Sequence, residues 1–83
     1  MTEVFSTNIE DHAHAVMIAR MIRNVFPDYL VNFDLDDCDH ILRIQAHHSI
    51  NVRAVMKIVR FTGFNANILP DEIPVAEPSW PVL

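Results

Sequence analysis

Tyr29-Leu30-Val31-Asn32-Phe33-Asp34-Leu35-Asp36-Asp37-Cys38-Asp39-His40-Ile41-Leu42-Arg43-Ile44-Gln45-Ala46 reads as two strands joined by a turn. From Tyr29 to Leu35, Val31, Phe33 and Leu35 point one way, while Leu30, Asn32 and Asp34 point the other. From Ile41 to Ala46, Leu42, Ile44 and Ala46 alternate against Ile41, Arg43 and Gln45. This period of two is the signature of half-buried strands. Asp36-Asp37-Cys38-Asp39 between them is a turn by composition, because Asp side chains bond their own backbone there.

On each side of this hairpin the period changes to that of a helix. Before it, Ala15, Ile18, Ala19, Ile22, Val25 and Phe26 form a wide apolar stripe, with Arg20, Arg23 and Asn24 opposite. Asp11 stands where a side chain can accept the first unpaired N–H groups, and Pro27 stops the helix. After the hairpin, Ser49 or Asn51 caps a second helix whose buried stripe is Val52, Val55, Met56 and Val59. Gly63 ends it. Outside the helices lie two more alternating segments, Val4 to Ile9 and Asn65 to Leu69. The order is βαββαβ, which with two right-handed crossovers gives a ferredoxin-like α+β sandwich: a four-stranded antiparallel sheet with both helices on one face. That domain covers residues 1–69. Residues 70–83 read as a Pro-rich C-terminal tail, since Pro70, Pro74, Pro78 and Pro81 exclude regular helix and central strand. Its Ile73, Val75, Trp80, Val82 and Leu83 are expected either to stay loose or to fold back on the bare sheet face or a neighbour.

Eighty-three residues, 51% apolar and 20% charged, make one small globular domain without room for a deep cleft. A net charge of −5, with six Lys and Arg scattered along the chain, argues against nucleic acid as a partner. The N-terminus does not read as a signal peptide, and no apolar run approaches the ~20 residues that span a bilayer. A single cysteine excludes an internal disulfide. A soluble, cytoplasmic protein with no membrane partner is the expectation.

Val55-Met56-Lys57-Ile58-Val59-Arg60-Phe61-Thr62-Gly63-Phe64-Asn65-Ala66 resembles the second helix of the heavy-metal-associated, copper-chaperone-like domains, which ends in Gly and an aromatic residue before a short last strand. Over residues 4 to 69 the order of elements is similar too. Ile9 takes the place of the Met that opens that family's Met-x-Cys-x-x-Cys loop, and Ile18 and Ile22 fall where its first helix is apolar. The resemblance implies the fold and a metal loop at this position. The two cysteine positions are occupied by Asp11 and His14, so the thiolates that hold copper(I) are missing and soft-metal chaperoning is not implied.

Asp11-x-x-His14 nevertheless pairs a carboxylate with an imidazole, a donor set suited to a divalent metal such as zinc or nickel. In the expected topology the first loop, the Asp36–His40 turn and Gly63-Phe64 share one end of the sheet. Asp37, Cys38 and His40 could then approach Asp11, His12 and His14 as further ligands. The competing reading makes Asp11 a helix cap and the two histidines solvated first-turn residues. Cys38 among Asp36, Asp37 and Asp39 is disfavoured as a thiolate and reads as a turn residue. His47 and His48 belong to the opposite pole, as surface residues at a helix start. Met17, Met21 and Met56 fill core or edge positions.

No Ser-His-Asp order, paired-glutamate motif or Gly-rich phosphate loop is present, and a non-enzymatic module is expected. Its first reading is an interaction domain that has lost its metal site, with a protein partner or homodimer engaged through the sheet face or the Pro-rich tail. The alternative is divalent metal binding or sensing through the Asp/His loop. A small-molecule-sensing module of the same element order is a third.

Overall fold

The computed structural model describes residues 1–69, and the tail read at 70–83 lies outside them. Six elements follow in order: β1 (Thr2–Thr7), α1 (His12–Val25), β2 (Leu30–Asp34), β3 (Ile41–Gln45), α2 (Val52–Phe61) and β4 (Ala66–Ile68). The strands form one antiparallel sheet in the order β2-β3-β1-β4. This is the ferredoxin-like α+β arrangement expected from the alternation of periods.

The register explains the inner face. Phe33 pairs with Leu42, Val31 with Ile44, and Phe5 with Leu42 across the three adjoining strands. These side chains form one cluster with Ala15, Ile18 and Ile22 of α1 and with Val55 and Val59 of α2. A single shared cluster places both helices on the same face of the sheet. Burying each such aliphatic side chain contributes roughly 1.5–3 kcal/mol, which is why two short helices hold here.

The caps follow the sequence closely. Asp11 accepts a 2.8 Å hydrogen bond from Ala13 N–H, and Asn51 accepts one of 3.1 Å from Ala54 N–H. Of Ser49 and Asn51, Asn51 is the α2 cap. At the far end of α2, Gly63 takes φ +95°, Gly63 N–H bonds Arg60 O at 2.9 Å, and Phe64 N–H reaches Val59 O at 3.4 Å. That is a Schellman closure, which needs a residue free to adopt positive φ.

The other strands end within a residue of expectation, and two placements differ more. The first strand is Thr2–Thr7, not Val4 to Ile9. Ile9 keeps the parity of Phe5 and is fully buried, but the chain has already left the sheet, with Ile9 N–H donating to Thr7 Oγ1 at 3.2 Å. Val25, placed by its spacing in the buried stripe of α1, is 58% exposed. It keeps the line of Ile18 and Ile22 but is the last residue of the helix, and it borders a groove shared with α2.

Candidate functional site

Three regions carry side chains with functional potential: the loop pole, the opposite pole, and the outer surface of the two helices.

The loop pole assembles as the topology requires. Thr7 N–H donates to Asp39 O at 3.0 Å, and Thr7 Oγ1 donates to His40 O at 2.6 Å, tying the end of β1 to the β2–β3 turn. Asn65 N–H donates to Asn8 Oδ1 at 2.8 Å, and the rings of His14 and Phe64 lie 5.0 Å apart. The first loop, the acidic turn and the Gly63 turn therefore do share one end. The proposed ligands divide within it. Asp11 and His14 face each other at 3.9 Å, both about half exposed, while the same Asp11 carboxylate caps α1. Asp37, Cys38 and Asp39 bring their ligand atoms within 4.8 Å of one another, all exposed, in a separate group. Neither His12, His14 nor His40 joins that group, and among the described residues no third ligand joins Asp11 and His14. His40 is held at φ +47° by the turn, with its N–H on Asp37 O at 2.9 Å, and Asp39 N–H bonds Asp37 Oδ1 at 2.9 Å. The Asp37 carboxylate is thus engaged in shaping the turn, as Asp side chains commonly are.

At the opposite pole His48 Nε2 is in direct contact with the Asp28 carboxylate, and its Nδ1 lies 3.1 Å from Ser49 O. Acceptors at both ring nitrogens favour the imidazolium. The Asp28 hydrogen bond, then the Ser49 carbonyl, holds the His48 pKa above its ordinary value, and the same bond lowers that of Asp28. Beside them Tyr29, 2% exposed, stacks on Phe26 at 4.4 Å and accepts a 2.9 Å hydrogen bond from Asn51 N–H. This pole fastens the start of α2 to the end of α1. The contact between Asp28 and His48, twenty residues apart, had no signal in the sequence.

The helical surface was overlooked by sequence reasoning. Between α1 and α2 runs an apolar groove of about 270 Å³ lined by Met21, Val25, Ala54, Lys57, Ile58 and Phe61. Phe61 is 84% exposed at its mouth. The two helices carry Arg20, Arg23, Arg53, Lys57 and Arg60 and no carboxylate, and of these Lys57 lines the groove. Every Asp and Glu of the described residues lies outside the two helices. Basic residues that look scattered along the chain are therefore gathered on one layer, and among the described residues none of these five pairs with a carboxylate. The available signal was Phe61, an apolar residue rotated off the stripe of Val55 and Val59 that packs on the sheet.

No protein-family model matches the chain, and no curated protein matches it in sequence. The likeness to heavy-metal-associated domains rests on the order of elements and on the residues quoted for it. No helix among the described residues is long and apolar enough to cross a membrane.

Proposed function

We propose that the chain is a non-enzymatic interaction module whose working surface is the groove between α1 and α2, and whose partner is an acidic protein segment with apolar anchors. The observation that carries this reading is the coincidence of an open apolar groove with five cations and no carboxylate on the same helical layer. An apolar slot gives area to bury, and the uncompensated positive charge of the two helices, with Lys57 in the slot itself, favours acidic partners and speeds their encounter. Half-buried Met21 and exposed Phe61 suit such a surface, methionine being adaptable and aromatic residues being frequent anchors. In this reading the Asp11–His14 loop serves mainly to start a helix, and the metal role of the resembling family is lost.

The test is selection of peptides from a random library against the immobilised full chain. Recovered peptides should be acidic with apolar anchors. They should lose about tenfold or more in affinity, ~1.4 kcal/mol, against Val25→Asp or Lys57→Glu, and nothing against Asn32→Ala on the outer sheet face. Binders without charge bias, or binders that map to the sheet face or the loop pole, would contradict the reading.

A further inference from the structure

We propose that an open cleft between α2 and β4 is a second binding site, in which Arg53, Lys57 and Arg60 hold a linear oligophosphate. The cleft adjoins the apolar groove along α2, with Ala54 and Lys57 bordering both, and its role does not depend on that groove having a partner.

Positions 53, 57 and 60 follow the i, i+4, i+7 spacing, so the three cations stand in one row along α2. All three line the cleft, a space of about 910 Å³, and Asn65 and Asn67 line it from the β4 side. Among the described residues no carboxylate lines it, and none of the three cations forms an ion pair. The backbone of both asparagines is engaged: Asn65 N–H donates to Asn8 Oδ1 at 2.8 Å, and Asn67 O accepts from Ser6 Oγ at 3.5 Å. Their side-chain amides bond no other described residue and have donors to offer. Like charges three and four residues apart destabilise a helix, and an anion laid along them removes that cost.

The shape of the row selects the anion. From Arg53 to Arg60 it rises about 10 Å, while charge-assisted hydrogen bonds are only about 2.7–2.9 Å long. Gathering all three cations on a single phosphate bends long side chains inward against their mutual repulsion. A chain of phosphates meets each cation where it stands. The planar forks of Arg53 and Arg60 grip phosphate oxygens in pairs at the two ends, and Lys57 supplies a point charge between them. No aromatic side chain lines the cleft to stack on a base, so the phosphates and not a nucleoside are recognised. The net charge of −5 does not overrule this, because charges beyond about 8 Å are largely screened at physiological ionic strength.

The experiment is isothermal titration of the full chain with inorganic tripolyphosphate, with far-UV circular dichroism to confirm that each variant is folded. Saturable one-to-one binding that weakens with added salt is expected. Arg53→Gln/Arg60→Gln should weaken it about tenfold or more, ~1.4 kcal/mol. Arg53→Lys/Arg60→Lys should weaken it less but measurably, since lysine cannot make the paired bonds. Arg20→Gln/Arg23→Gln removes the same charge from exposed positions of α1 outside the cleft and should leave the affinity unchanged. Orthophosphate should bind about tenfold more weakly, and adenosine triphosphate within about threefold of tripolyphosphate. No saturable binding, equal losses from the α1 and α2 pairs (diffuse attraction only), or orthophosphate bound as tightly would each overturn the proposal. Adenosine triphosphate bound with tripolyphosphate ignored would overturn it too, as recognition of a nucleoside. Val25→Asp, which disables the groove, should leave tripolyphosphate affinity unchanged, so either site can fail while the other stands.

Discussion

The loop pole and the helical face reverse each other. At the loop pole the chain concentrates reactive residue types, yet they end up engaged singly or in pairs: Asp11 capping α1, His14 beside Phe64, Asp37 shaping its own turn. On the helical face the residue types are plain, yet Met21 and Val25 of α1 meet Ala54, Lys57, Ile58 and Phe61 of α2 in an apolar groove, from segments some thirty residues apart, on helices that carry five cations and no carboxylate. Residue chemistry is visible in sequence, whereas convergence depends on how two helices are rotated about their axes when they meet the sheet. A function that needs one ligating cluster is poorly served by the first region, and one that needs a broad surface is well served by the second.

Substitutions can break that contrast, and the largest effect is expected at the groove. Val25→Asp should weaken binding of an acidic apolar peptide about tenfold or more while changing stability by no more than ~0.5 kcal/mol, because Val25 is exposed. Isothermal titration together with urea denaturation reads both. Asp11→Ala should do the converse, costing ~1 kcal/mol of stability through the lost cap and leaving peptide affinity unchanged. Equal affinity losses in the two variants would erase the distinction between the regions.

A smaller effect is expected in the pH dependence of stability, through the Asp28–His48 pair. The Asp28 pKa is lowered from 3.8, so its contribution is present above that value and fades as pH falls through the folded pKa. The His48 pKa is raised from 6.5, so its contribution is complete below that value and fades as pH rises through the folded pKa. The thermal midpoint of the wild type should therefore exceed that of Asp28→Asn most between about pH 4 and pH 6.5, with the gap narrowing on both sides. A gap that is constant with pH would show that the pair does not titrate with folding.

The smallest effect is expected from zinc. Two exposed ligands that must also satisfy a helix cap should bind only in the millimolar range, and metal at a tenth of its Kd stabilises by less than ~0.1 kcal/mol. A rise of several degrees in the thermal midpoint at micromolar zinc, lost in Asp11→Ala/His14→Ala, would restore the metal reading of the loop.

The fold was largely legible because its signals are local. Alternation around Val31, Phe33, Leu42 and Ile44, the caps Asp11 and Asn51, and the stop at Gly63 each lie within a few residues. The end of β1 was less so, since the parity of Ile9 continues past the point where the hydrogen-bonding of Thr7 turns the chain away. The candidate site was legible only in its parts. Sequence placed the first loop and the acidic turn at one pole, but their side chains form two groups and not one. Val25 was read into the buried stripe of α1 and Phe61 only into the stretch that ends α2, because their place in the groove depends on the neighbouring helix, and the contact of Asp28 with His48 joins elements that no local rule links.

The most direct measurement of where this protein works is methyl and amide chemical-shift mapping of the full chain during titration with a library-selected acidic peptide. Saturable shifts at Met21, Val25, Ile58 and Phe61, with Asp11, His14 and Asp37 unmoved, are the expected result. Shifts confined to the loop pole or to the outer sheet face, with the groove silent, would contradict it.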